Sequence, residues 1–275
     1  SKKLNNNIFL KREDLQLTRS FKIRGSLNKM LLLKDNINNS EFVCASAGNH
    51  AQGFAFSCNL LNVRGNIFIP NTTPLQKIER IKHYGKENIK LKIIGNNFSE
   101  CLQQSLEFSK QNNFIDIHPY DDLDIIDGQS TICKEIIDEL DYNVDIISGC
   151  VGGGGLLAGL VNYSNYINSG IKIIGGEPEN AHSLHLALQN NKPTEVKNLD
   201  TFVDGASVSK VGNNNFNILQ NNLSLDDIFI ISNGKICNEL LNMYGEDGII
   251  LEPAGVLSVC AMEYYIKLNN IKNKN

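Results

Sequence analysis

Lys22 is the residue whose surroundings first call for a chemical reading. It lies in Ser20–Met30, SFKIRGSLNKM, where Ile23, Leu27, Met30 and Leu31 fall on one apolar stripe of a helix and Ser20 is placed to cap it. A cation in the first turn opposes the positive end of the helix dipole. Phe21 beside it would help to desolvate the amine. Both effects favour a neutral amine, the form that adds to carbonyl groups. On these residues alone an ordinary surface lysine fits equally well.

Three loops after apolar runs carry further signals. Ser46-Ala47-Gly48-Asn49-His50-Ala51-Gln52-Gly53 follows Phe42–Ala45. Its small residues leave backbone N–H groups open at a helix N-terminus, a cradle for a carboxylate or phosphate. Asn49 offers an amide to a phenolate-type oxygen and His50 a polar ring; a plain capped turn accounts for the same residues. The second loop is Gly152-Gly153-Gly154-Gly155 with Leu156. Four successive glycines cost backbone entropy, a cost that makes sense where the chain wraps an anion at a helix start. Its rival is a dinucleotide fingerprint, Gly153-x-Gly155-x-x-Ala158, with Glu177 as the ribose acid. Against that rival, the turn lies mid-chain, behind two other glycine-bearing loops. The third is Gly248–Gly255, GIILEPAG, where Glu252 and Pro253 introduce a helix.

The elements that must position these loops alternate along the chain. Strands are expected at Ile8–Leu10, Phe42–Ala45, Asn66–Ile69, Leu91–Ile94, Val144–Ser148, Ile171–Gly175 and Ile228–Ile231. Helices are expected from Lys22, through Ala51–Leu61, from Thr73-Pro74 with proline at the first helical position, and over Phe98–Asn112, Asp127–Leu140, Leu156–Ile167, Asn233–Met243 and Gly255–Leu268. This is an α/β pattern with a mainly parallel sheet. No repeat or low-complexity linker interrupts it, so a second domain must be an insertion.

Composition sets the class. The 275 residues, 41% hydrophobic and 20% charged, bury a substantial core in one large or two smaller domains. A net charge of −4 without a Lys/Arg block argues against nucleic acid or an anionic membrane as partner. No apolar run reaches transmembrane length, and Ser1-Lys2-Lys3 does not lead into a signal-peptide core. Seven scattered cysteines without CxxC read as reduced thiols, with Cys44, Cys58, Cys101 and Cys133 buried, in a reducing compartment. Asn5–Asn7 and Asn213–Asn215 read as compositional drift on loops.

Taken in order, SFKIRGS, ASAGNHAQG, VGGGGLLAG, FVDGA and EPAG resemble the fold-type II pyridoxal-phosphate enzymes (tryptophan synthase β-like), and within them the threonine dehydratases, from about Asn7 to Leu268. The resemblance implies two open parallel-sheet domains: a larger one from residues 1–40 plus 127–275, and a smaller one, 41–126, inserted in it. It implies pyridoxal 5'-phosphate as cofactor, attached to Lys22 with Phe21 near the ring. It further implies Asn49 on the ring's O3′ and Gly152–Gly155 with Leu156 as the phosphate cup. The substrate carboxylate goes to Ser46–His50, and Gly205 and Glu252 lie near the ring. The implied reaction is dehydration and deamination of L-threonine, secondarily L-serine, by a cytoplasmic homo-dimer or homo-tetramer (or an organellar one, if a targeting segment precedes the chain).

Two departures from the family pattern qualify this reading. Serine racemases carry a serine where this chain has Ala47, which favours dehydration over racemisation. Their cation site matches Glu177 and Ala181, but the further acid corresponds to Ser183, so no metal is expected. The chain as given stops at Lys272–Asn275, before the glycine-rich strand whose serine or threonine faces the pyridine nitrogen in the family. The alternatives are a serine racemase, a truncated inactive cofactor-binding core and, more remotely, an NAD-binding domain.

Overall fold

The computed structural model describes residues 4–33, 40–96 and 98–275; Ser1–Lys3, read above for a leader, lie outside the described residues. Short apolar runs pair as parallel strands. β1 (Phe42–Ala45), β2 (Gly65–Ile69), β3 (Ile89–Ile93) and β4 (Ile115–Asp116) form one sheet in the order β3-β2-β1-β4. β1 and β2 are buried along their whole length, as continuous apolar strands covered on both faces must be. Around this sheet stand α1 (Lys22–Leu33), α2 (Asn49–Leu61), α3 (Leu75–Gly85) and α4 (Phe98–Asn112). Met30, Phe42, Phe54, Ile67, Ile81 and Ile125 close one layer of core. On the other face Phe68 meets Phe108 at 5.4 Å between ring centroids.

A second parallel sheet contains β5 (Ile146–Cys150), β6 (Lys172–Pro178) and β7 (Ile228–Ile231), in the order β5-β6-β7. The helices that follow α4 in the chain are α5 (Leu123–Glu139), α6 (Gly155–Tyr166), α7 (Ser183–Asn190), α8 (Asn213–Leu219), α9 (Asn233–Asp247) and α10 (Val256–Leu268). α10 packs on all three strands of this sheet. It comes so close to β6 that a Cβ at Gly176 would lie 2.4 Å from the Leu257 carbonyl oxygen.

Contacts divide the chain into two compact units, Arg12–Gly128 and Ser1–Lys11 with Gln129–Asn275. In the Arg12–Gly128 unit α1 lies on α2, with Ser26 Oγ 3.4 Å from Ser57 Oγ. At the other end, a Cβ on Gly128 would lie 2.6 Å from the Gly25 Cα, which draws the start of α5 against α1.

Local departures have local causes. Ile8–Leu10 forms no strand; Phe9 is exposed, and the neighbouring backbone pairs instead through Asn7 N–H to the Lys274 carbonyl at 2.9 Å. Pro74 sits at the N-cap of α3, one position before the expected one. α5 begins four residues earlier than Asp127 because Asp122 Oδ1 accepts from the Asp124 and Ile125 amides at 2.9 and 3.2 Å. The Ser20 hydroxyl is buried without a hydrogen-bond partner and so does not cap α1. Cys44, Cys58, Cys101 and Cys133 are buried, and the seven cysteines form no disulfide.

Candidate active site

In the Arg12–Gly128 unit, Lys22 is the first residue of α1. Its Nζ donates to the Pro119 carbonyl at 2.9 Å and stands 5.6 Å from the Phe21 ring centroid and 6.0 Å from that of Tyr120. Two aromatic faces and a carbonyl oxygen are contacts that suit a cation. Phe21 therefore does more than exclude water. The stretch His118–Asp121, which the sequence reading passed over, forms this wall. Its signal was present in a His-Pro-Tyr-Asp-Asp run directly before a helix start. Burial raises the Tyr120 phenol to about 12.

α2 presents its N-terminus in the same unit. Gly48 is its N-cap, no side chain caps the helix, and the Gly48 amide donates to Ser46 Oγ at 3.2 Å. Amides in a first helical turn have no intrahelical acceptor. Ser46, Ala47, Gly48 and Asn49 are half-buried at this end. His50 departs from expectation. Its ring is buried and its Nε2 donates to the Ile117 carbonyl at 2.8 Å, so the ring is committed inward. Burial, reinforced by the Lys22 charge, lowers its pKa to about 3 and keeps it neutral.

Gly53, four residues after Asn49, explains how α1 and α2 approach. A Cβ there would lie 3.0 Å from the Ile23 nitrogen and from the Lys22 carbonyl carbon. This brings the Lys22 backbone against α2, whose first turn carries Asn49.

The glycine turn belongs to the other unit. Gly154 has φ +91°, a left-handed conformation that suits glycine, and it precedes α6, which no side chain caps. The Gly153 carbonyl accepts from the Gly212 amide at 3.1 Å and from Asn215 Nδ2 at 2.7 Å. Asn213–Asn215 is thus no loop drift: it opens α8, and Asn215 is buried beneath the turn. A Cβ at Gly152 would lie 3.0 Å from the Ala206 Cα, and one at Gly205 would lie 3.2 Å from Glu252 Oε1. The Val203–Ala206 loop therefore meets both the glycine turn and Glu252, which brings three of the expected motifs together.

Glu177 has a structural task. It is fully buried, and its two oxygens accept from the Leu184 and His185 amides at 2.8 Å each, capping α7. Both oxygens being occupied, it is not offered to a ribose. Burial raises its pKa to about 8 against the pull of those two amides. Among the described residues no group of three or more His, Cys, Asp or Glu side chains could hold a metal ion.

Two parallel-sheet units, a helix-start lysine and a glycine turn at a helix N-terminus define the fold-type II class of pyridoxal-phosphate enzymes. Residues 1–275 match the family described as pyridoxal-phosphate dependent enzyme, and the chain belongs to that family. It is 42% identical over 260 residues to a biosynthetic L-threonine dehydratase of Halalkalibacterium halodurans, covering 94% of this chain and 62% of that one. A Bacillus subtilis protein of the same description is 40% identical over 269 residues, covering 98% and 63%. The chain thus spans somewhat under two thirds of these curated relatives. Among solved structures it resembles the processed form of threonine deaminase isoform 2 from Solanum lycopersicum, with TM-score 0.93, 36% identity and coverage of 100% and 78%. A serine racemase from Dictyostelium discoideum follows with TM-score 0.84, 26% identity and coverage of 95% and 83%.

The residues fit the family's cofactor. The first turn of α6, which no side chain caps, would offer amides to a phosphate, and a side chain at Gly152 or Gly154 would collide with Ala206 or with Val211 and Asn215. The amine of Lys22 lies between aromatic rings in the other unit.

Proposed function

We propose that the chain catalyses dehydration and deamination of L-threonine, and secondarily L-serine, to 2-oxobutanoate or pyruvate and ammonia. The observation that carries this reading is the setting of Lys22, an amine at the start of α1 held by the Pro119 carbonyl between Phe21 and Tyr120. The 40–42% identity to threonine dehydratases supports the choice of substrate.

Pyridoxal phosphate, when bound, supplies the electron withdrawal that acidifies the substrate Cα–H bond. Lys22 would hold the cofactor, and its free amine would take the substrate Cα proton as general base. The amides at the start of α2, in Ser46–His50, bind the substrate carboxylate; His50 contributes backbone only, its ring being held by Ile117. The Asn49 amide would help to hold the cofactor. Gly152–Gly155 and Leu156 would hold its phosphate, and Gly205 and Glu252 would complete the site. Overall the Cα proton and the Cβ hydroxyl leave as water, the resulting enamine takes a proton at Cβ, and water hydrolyses the imine carbon–nitrogen bond to give the 2-oxo acid and ammonia.

We place this chemistry in the cytoplasm, a location that free cysteines favour, and in a homo-dimer or homo-tetramer. The larger sheet-bearing domain is proposed to hold the phosphate. The test is to incubate the chain with pyridoxal phosphate and L-threonine and to measure 2-oxobutanoate and ammonia. Borohydride should fix the cofactor on the Lys22 peptide. Lys22→Ala should abolish both turnover and labelling while the fold persists; labelling retained in that variant would move the attachment to another lysine.

A further inference from the structure

His118 has no role in the reading above, yet the wall facing Lys22 depends on it. Its Nδ1 accepts from two backbone amides at once, Tyr120 at 3.2 Å and Asp121 at 2.8 Å. An imidazole nitrogen that accepts two hydrogen bonds carries no proton, so the hydrogen of the neutral ring sits on Nε2. The ring also meets Tyr120 edge-on, with centroids 4.7 Å apart. His118 therefore fixes both the backbone of the turn and the ring at its tip.

Beyond the turn the chain is tied to α1 a second time. Asn28 Nδ2 donates to the Asp124 carbonyl at 2.7 Å, and Lys29 pairs with Asp122 at 3.0 Å and with Asp124 at 2.7 Å. These bonds locate the start of α5 against the middle of α1. The conformation of residues 118–121 brings the Pro119 carbonyl to 2.9 Å from Lys22 Nζ. The two bonds to His118 Nδ1 close the turn from within it. Burial lowers the pKa of His118, the Lys22 charge lowers it further, and Asp121 and Asp122 oppose both; a neutral acceptor ring agrees with the geometry.

We propose that His118 is a positioning residue: through its doubly accepting Nδ1 it holds the His118–Asp121 turn so that the Pro119 carbonyl and the Tyr120 ring receive the amine of Lys22. The relevance to turnover rests on Lys22 being the reactive lysine, but the positioning itself is a property of the chain without cofactor. It predicts that an asparagine, whose Oδ1 can take the place of Nδ1 in such a turn, will substitute for His118, and that an apolar residue of similar size will not.

The experiment compares His118→Asn and His118→Leu in the cofactor-free chain. Hydrogen exchange at the Tyr120 and Asp121 amides should accelerate at least tenfold in His118→Leu and stay near the parent rate in His118→Asn, with the β1 and β2 amides protected in both. The rate of reductive methylation at Lys22, read on its peptide, should rise several-fold in His118→Leu and not in His118→Asn. If L-threonine is turned over, the loss in His118→Leu should fall on kcat rather than KM. Parent-like exchange and methylation in His118→Leu would overturn the proposal. So would loss in His118→Asn as large as in His118→Leu, and this variant decides the matter if His118→Leu does not fold. Absence of threonine turnover in the parent would sink the proposed function and leave the exchange and methylation outcomes to judge His118.

Discussion

Gly53 stands so close to Lys22 that a Cβ on it would lie 3.0 Å from the Lys22 carbonyl carbon. The last glycine of the ASAGNHAQG run is therefore a spacer between α1 and α2, and it sets how near the amine comes to the N-terminus of α2. Ser26 Oγ would be equally close, so the space has no easy outlet.

Gly53→Ala should accordingly lower the melting temperature. Alanine gains about 1 kcal/mol of helix propensity, and overpacking costs roughly 1–3 kcal/mol. Gly245 in α9 has nothing within 4 Å of its Cβ position, so Gly245→Ala should raise stability by about 0.5–1 kcal/mol. Thermal scans of the two variants check this. An equal rise in both would show slack between α1 and α2.

Gly154→Asp places a β-carbon where Val211 and Asn215 leave 3.0–3.1 Å, at φ +91°, and puts a carboxylate at the proposed phosphate cup. Cofactor affinity should fall by well over tenfold, about 1.4 kcal/mol or more. Gly170→Asp is the control: its φ is +69° with open space around it, so it carries backbone strain without touching the cup. Titration with pyridoxal phosphate separates them, and equal affinity in both would assign the glycines to the turn alone.

Glu177 predicts a pH dependence of stability. Its folded pKa is raised from 4.5 to about 8 by burial, so between those values the folded state holds a proton that the unfolded state has released. Stability then falls as pH rises through this window. Glu177→Gln cannot ionise and should flatten that part of the profile, although its NH2 cannot accept from one of the two amides, Leu184 or His185, that the carboxylate serves. Melting temperatures from pH 5 to 9 test this; an unchanged slope would place the titration elsewhere.

Ala47 bears on the choice of reaction. A tethered amine such as the proposed base Lys22 would serve one face of the substrate Cα, while racemisation needs a second acid–base group opposite. Ala47, beside Ser46 at the start of α2, has only a methyl group to offer. The chain should convert L-threonine to 2-oxobutanoate and form no D-serine from L-serine, and Ala47→Ser should introduce weak racemase activity. Chiral analysis of the product decides, and substantial D-serine from the parent chain would reverse the assignment.

Helix and strand positions were legible where a local rule decided them. β1 and β7 follow unbroken apolar runs, and α4 keeps its expected bounds, Phe98–Asn112. The glycine turn was legible because four glycines are costly unless the backbone needs them, and Lys22 because a lysine at a helix start is unusual. What the sequence could not decide depends on partners distant in the chain. Asn213–Asn215 looks like loop composition until Gly153, 62 residues before Asn215, appears as its acceptor. Glu177 looks like a ribose ligand until α7 supplies two amides to it. Pro119 enters the setting of Lys22 from 97 residues away, and His118 shapes it by bonding to backbone amides that have no identity in the sequence. Side-chain type and spacing determine which groups are present; only packing in three dimensions decides which backbone carbonyls and amides meet them.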